Sequence, residues 1–280
     1  MINPEKLKNE IRKIAAEKDL KAGEILHMFM FERFIERVAR SSYKEFFILK
    51  GGLLIASILG IGQRTTIDMD ATVKNLAMNE DSLKRVVTEI IETAIDDGVS
   101  FKLERIVPIR EEDKYNSFRV SLEARFDRIR VPMRIDITTG DVITPGEIDY
   151  QYRSIFGEEV IVIKAYTLET ILAEKYETIL RRSVLSSRPR DLYDVHTLFR
   201  LKKDQISTPT LKKAIENTAL RRGSSNTIAD YERVVYELME SEYQKRLWKN
   251  YQNENSYAKG IQFKDVVETV KIIGGFLKKL

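Results

Sequence analysis

The stretch RTTIDMDATV, residues 64–73, sets two carboxylates one residue apart inside an apolar and β-branched run. In a strand, successive side chains alternate between faces, so Asp68 and Asp70 point the same way. Two like charges on one face repel, and both are costly to desolvate. A solvent-exposed face relieves that repulsion, and so does a divalent cation held between them. The chain has no cysteine and only two histidines, His27 and His196, so a bound metal would have to take oxygen ligands.

Three further groups could join that chemistry. Gly51–Gly52 follows the apolar run Phe46–Leu49 and opens a second apolar stretch, a strand–turn–helix pattern. Glycines at such a turn let backbone N–H groups approach an anion at a helix N-terminus, although most glycine pairs are ordinary turns. Asp136, in MRIDITTGD, lies on a later strand among apolar neighbours. Its simpler role is to cap the next turn. Finally, TLETILAEKYETILRR carries Lys175 beside the stripe Leu168, Ile171, Leu172, Tyr176 and Ile179, and RPRDLYDVHTLFR carries Asp191 and Asp194 on one helix face. On their own, these read as a snorkelling lysine and a surface ion-pair network.

The elements that must position these residues follow from periodicity. Residues 4–41 read as helix, and the stretch LLIASILGIG as a short helix closed by Gly60 and Gly62. A further helix covers 79–97. Strands are expected at 46–49, TTIDMDATV, 100–106, 117–124, 130–138 and VIVIK, with a polar turn between 106 and 117 and a loop over 139–159. Helices follow at 167–183, 189–201, 208–221, 227–250 and 262–278. This gives an α/β part with the N-terminal helices, residues 1–165, and a helical part, 166–280.

With 280 residues, 43% hydrophobic and 32% charged, the chain is a globular one with a substantial core. No apolar run reaches the ~20 residues of a membrane span. MINPEKLKNEIRK lacks the apolar core of a secretory signal, and the absence of cysteine fits the cytoplasm. The net charge of +4 does not by itself indicate nucleic acid. Basic residues do cluster: Arg181, Arg182, Arg188 and Arg190, then Lys202–Lys203, Lys212–Lys213, and Arg221 with Arg222. Solvated helix faces and an RNA-backbone surface both account for them.

A glycine turn, a D-x-D strand and a third Asp on a neighbouring strand form the layout of the nucleotidyltransferase superfamily. FILKGGLLIASILGIGQRTTIDMDATV, RIDITTGD, YTLETILAEKYETILRR and RPRDLYDVHTLF, in this order, resemble the AbiEii/AbiGii family of toxins from bacterial toxin–antitoxin and phage abortive-infection systems. The likeness is good over about residues 1–200. The D-x-D element is shared across the superfamily, whereas the E-K helix followed by R-D-x-x-D is more specific to this family.

The resemblance implies an α+β fold: a mixed nucleotidyltransferase sheet with N-terminal helices and a C-terminal helical part. It implies an Mg²⁺- or Mn²⁺-dependent enzyme moving a nucleotide from an NTP to RNA, in the first place the 3′ acceptor end of tRNA. A cognate antitoxin, often with a winged-helix DNA-binding part, would oppose it. Gly51 and Gly52 would face the triphosphate, and Thr66 matches a hydroxyl usual at that position. Asp68, Asp70 and Asp136 would be the metal ligands, Asp136 also helping to deprotonate the attacking hydroxyl. Lys175 would contact triphosphate oxygens, and Asp191 would fix Lys175 or the acceptor. The chain departs from the pattern at Leu53, where relatives often carry Thr or Ser. Two rival readings accompany this one: nucleotide transfer to a protein hydroxyl, and a catalytically silent module that binds nucleotide, RNA or only its antitoxin.

Overall fold

The computed structural model describes residues 3–109, 117–157 and 159–278. In chain order the elements are α1 (Pro4–Lys18), α2 (Ala22–Arg40), β1 (Phe47–Lys50), α3 (Gly51–Leu59), β2 (Met69–Val73), α4 (Glu80–Ile91), β3 (Val99–Pro108), β4 (Phe118–Phe126), β5 (Ile129–Thr139), β6 (Ile148–Arg153) and β7 (Val160–Ala165). The helical half follows with α5 (Leu168–Arg182), α6 (Pro189–Leu201), α7 (Thr208–Arg222), α8 (Ser225–Ala229), α9 (Tyr231–Glu240), α10 (Glu242–Glu254) and α11 (Phe263–Lys278). Contacts divide the chain into two units, Met1–Asp141 with Glu147–Ala165, and Val142–Gly146 with Tyr166–Leu280. Among the described residues no helix is long and apolar enough to cross a membrane.

The first unit is built on one mixed sheet with strand order β3-β4-β5-β2-β1-β7-β6. The β2–β5 and β1–β7 pairs are parallel, and the others are antiparallel. The expected α+β architecture is therefore the one found. Helix α2 packs on β5 and β7, and α3 on β1 and β2. The helical run expected over 4–41 is two helices, because Asp19 closes α1 in a left-handed conformation at φ 51°.

Two other expectations change. Residues 148–153, expected as loop, form β6 at the edge of the sheet. Its residues IDYQYR alternate between apolar and polar, but the stretch is short, follows Pro145–Gly146 and buries only Tyr152, as an edge strand does. The single helix expected over 227–250 is three helices. Ser241 starts the last of them, its Oγ accepting from Gln244 N at 3.3 Å in a capping-box sequence. The turn expected between 106 and 117 falls largely on residues outside those described.

Helix α2 also carries buried charge. Glu32, fully buried, accepts from Ser154 Oγ and Ile155 N, both at 2.8 Å. Arg37, 2% exposed, forks onto Asp97 at 2.8 and 2.9 Å and donates to the carbonyls of Val99 (2.6 Å) and Arg33 (3.0 Å). These bonds fix the helix against the start of β3. In the second unit, Val142–Gly146 is held through Thr144: its carbonyl accepts from Thr167 Oγ1 (2.8 Å) and Thr170 Oγ1 (3.1 Å). Asn217 Nδ2 donates to its hydroxyl at 3.0 Å.

Removing one side of a buried ion pair leaves an uncompensated charge. Arg37→Ala is expected to cost about 3–5 kcal/mol of unfolding free energy, measured by urea denaturation. A loss within about 1 kcal/mol, the range of an exposed pair, would show that Asp97 is not held in the interior by this arginine.

Candidate active site

One row of side chains crosses four strands of the first unit. Lys50 on β1 is the register partner of Asp70 on β2, Asp70 of Asp136 on β5, and Asp136 of Arg119 on β4. Register partners on adjacent strands share a face, with strands about 4.8 Å apart. The sheet thus sets two carboxylates side by side and brackets them with two cations. The β4–β5 turn explains the outer member of the row. Phe126 pairs with Ile129 next to the turn, and Arg119 and Asp136 each lie seven residues further from it.

The row has defined contacts. Arg119 grips both oxygens of Asp136, Nε to Oδ1 and Nη2 to Oδ2, each at 2.8 Å. The guanidinium pKa is raised first by the hydrogen bond to Asp136 and by its charge, then by the charges of Asp68 and Asp70. All three carboxylates therefore act on one arginine. Lys50 is 9% exposed and donates to Asp141 Oδ2 at 2.5 Å, and Thr138 Oγ1 donates to the same oxygen at 2.7 Å.

Asp68 lies one residue before β2 rather than within it. Its N–H donates to Thr66 Oγ1 at 3.3 Å, and that hydroxyl donates to the Asp68 carbonyl at 3.1 Å. Thr66 is buried and so acts on the Asp68 backbone. The preceding Arg64, also buried, donates to the Thr65 carbonyl, and Thr65 Oγ1 donates to Glu24 Oε2 at 2.5 Å.

Gly51 opens α3 with φ +67°, a conformation that suits glycine. A Cβ there would come within 2.7 Å of Asp70 Cβ and Cγ, and closer still to Oδ2. A Cβ on Gly52 would lie 3.0 Å from Thr66 Oγ1. Gly51 therefore has no room for a side chain against Asp70, and Gly52 is tightly packed against Thr66 and Arg64. Lys50, in the N-cap position of α3, makes no side-chain capping bond. The first N–H groups of this helix supply the positive end of its dipole beside the Asp70 carboxylate. Leu53, the departure from the family pattern, is fully buried.

These residues have the donor chemistry that Mg²⁺ or Mn²⁺ takes, oxygen atoms of carboxylates. The fit is best at Asp70, whose carboxylate is seated against the Gly51 backbone with no room for a Cβ, together with neighbouring Asp68. Asp136 has both oxygens on Arg119. Among the described residues, no three His, Cys, Asp or Glu converge as a ready-made metal cluster.

In the second unit, Lys175 on α5 lies 2.5 Å from Asp191 Oδ1 and 3.0 Å from Asp194 Oδ2 on α6. Asp191 is 5% exposed and Asp194 fully buried, so this is an interior triad rather than a solvated surface pair. Of the basic residues, Arg181 (2.8 Å) and Arg222 (2.7 Å) both bind the fully buried Glu177, and Arg222 also reaches Glu174 at 3.2 Å. Arg222 thus ties α7 to α5, while the Arg181–Glu177 pair lies within α5. Arg182 and Arg221 sit in the last turns of α5 and α7, where cations complement the dipole. Arg188 and Arg190 are exposed.

Lys50, Arg119, Asp141 and Glu177 are not among the residues that the motifs mark in the sequence. Lys50 could have been found, since a lysine ending an apolar strand just before a glycine turn is well placed for an anion.

The profile of the nucleotidyl transferase AbiEii toxins of type IV toxin–antitoxin systems matches residues 33–269. The chain belongs to the AbiEii family. It is thus a nucleotidyltransferase of a toxin–antitoxin toxin family. The crystal structure of JHP933 from Helicobacter pylori is similar over 91% of this chain and 94% of that chain, with a TM-score of 0.50 and 15% identity. A second H. pylori crystal structure, of a nucleotidyltransferase-like protein, is similar over 93% and 98%, with a TM-score of 0.50 and 16% identity. At such identities the likeness is one of fold. No curated protein matches the chain.

The tightest steric demand in the AbiEii-family site is at Gly51. Gly51→Ala is expected to push Asp70 aside, lowering nucleotidyl transfer on the order of 100-fold and stability by about 1–3 kcal/mol. Transfer rate and thermal melting check this. A variant with full activity would mean that the Asp70 carboxylate need not sit against the Gly51 backbone.

Proposed function

We propose that this enzyme is a toxin that moves a nucleotide from an NTP to RNA in the cytoplasm, using Mg²⁺ or Mn²⁺, with the 3′ acceptor end of tRNA as its acceptor. The observation that carries the reading is the side-by-side pair Asp70 and Asp136, with Asp70 seated against Gly51 at the start of α3. In such a transfer, the acceptor hydroxyl oxygen bonds to the α-phosphorus, the bond to the β-phosphate oxygen breaks, and pyrophosphate leaves.

Asp68 and Asp70 hold the cation, which neutralises phosphate charge when bound. The N-terminal N–H groups of α3 receive phosphate oxygens. Asp136 takes the proton of the attacking hydroxyl. Its oxygens keep lone pairs beyond those used by Arg119. Lys175, placed by family resemblance at the triphosphate, contributes a compact point charge whose ammonium is oriented by Asp191 and Asp194. The exposed Arg188 and Arg190 contact RNA phosphates, while Arg181 and Arg222 serve α5 and α7. Phosphate contacts set affinity and salt dependence rather than sequence choice, so selection of a tRNA end falls to its unstacked 3′ bases. The antitoxin that its family implies as partner is a winged-helix DNA-binding protein.

The test is incubation with total tRNA and each α-labelled NTP in turn. Label is expected in RNA, at the tRNA 3′ end, with one or more of the nucleotides. Asp68→Asn and Asp70→Asn are each expected to abolish labelling while melting as folded proteins. Label in protein alone, or undiminished labelling by either variant, would overturn the proposal.

A further inference from the structure

Arg119 is a member of the charge row that no sequence motif assigns. Its fork matches the carboxylate of Asp136 in both bonds, a bidentate, charge-assisted geometry. The pair is half-open to solvent, the Arg119 side chain 41% exposed and that of Asp136 28%. It can therefore separate without unfolding the sheet. Asp136 also stands beside Asp70 in parallel register, so releasing its oxygens would add a carboxylate to the Asp68–Asp70 side of the row.

We propose that Arg119 is a displaceable counter-ion, which neutralises Asp136 while no divalent cation is bound and competes with that cation for the carboxylate. This rests on the reading of Asp68 and Asp70 as a cation site. Two electrostatic facts support it. Neighbouring carboxylates repel, and a guanidinium bridging one of them relieves that repulsion. The same guanidinium feels Asp68 and Asp70 as well as Asp136, with Asp136 acting on it most strongly, so it stands among the carboxylates and is held chiefly by Asp136. Arg119 is thus a positioning residue that sets which carboxylates are open, and when. Once a cation takes Asp136, the guanidinium is free beside the site, where the polyanionic substrates bind.

The experiment is titration of Mn²⁺ alone, without nucleotide, followed by calorimetry and by the electron paramagnetic resonance of free Mn²⁺. Arg119→Gln is expected to bind Mn²⁺ roughly three- to tenfold more tightly than the parent. Arg119→Lys, which keeps the charge but loses the fork, is expected to fall between them, and it decides the matter if Arg119→Gln does not fold. In an Asp136→Asn background the gain is expected to vanish, since the competition is for that carboxylate. Unchanged or weaker binding by the Arg119 variants, or a gain that persists with Asp136→Asn, overturns the proposal. Asp70→Asn separates the two readings. If it loses Mn²⁺ binding while Arg119→Gln changes nothing, the cation site stands and the counter-ion role falls. If Asp70→Asn binds Mn²⁺ like the parent, the cation site itself is wrong, and the counter-ion role falls with it.

Discussion

Parallel pairing of β2 with β5 puts Asp70 beside Asp136, and the first unit is arranged around that unfavourable juxtaposition. Two carboxylates on neighbouring strands cannot be accommodated on an apolar face without compensation. The compensation is local and built by register: Lys50 lies on one side and Arg119 on the other. Sliding β5 by one residue would turn Asp136 to the opposite face and leave Arg119 without its partner. The charge row and the sheet register therefore specify each other.

The surroundings of the row are stiff. Gly51 packs against the Asp70 carboxylate, Thr66 holds both backbone groups of Asp68, and α2 is locked to the unit through Glu32 and Arg37. Rigid support of this kind keeps reacting groups in place and limits the reorganisation that a charged transition state would otherwise demand. The Arg119–Asp136 pair is half-open to solvent, which is why a change of state can be localised there.

Much of this was legible in the sequence where local chemistry decides. The change from FILK to a glycine pair marks β1, the turn and α3. The family motifs predicted the enzyme class, and the match over residues 33–269 agrees with it. Long-range pairing was not legible. Arg119 meets Asp136 only because the β4–β5 turn sets a register that composition does not encode. Strand β6 escaped because its short alternation, Ile148, Tyr150 and Tyr152, lies in a polar stretch among the punctuating residues Gly146 and Gly157. Asp191 and Asp194 read as surface charge because helix spacing shows that they share a face, but not that the face is turned inward. Arg181 and Arg222 read as a basic surface because Glu177, the buried acid they share, looks like one more polar residue in its helix.

On the proposed reading, the Asp68–Asp70 side of the row binds an NTP together with a divalent cation. Thermal unfolding of the parent and of Asp70→Asn, with Mg²⁺ and a non-hydrolysable NTP analogue, tests it most directly. A ligand at 100 times its dissociation constant stabilises the native state by about 2.7 kcal/mol, so the parent midpoint should rise by several degrees. The Asp70→Asn midpoint should not move. An equal rise in both proteins would contradict the claim, since nucleotide would then be bound without this carboxylate.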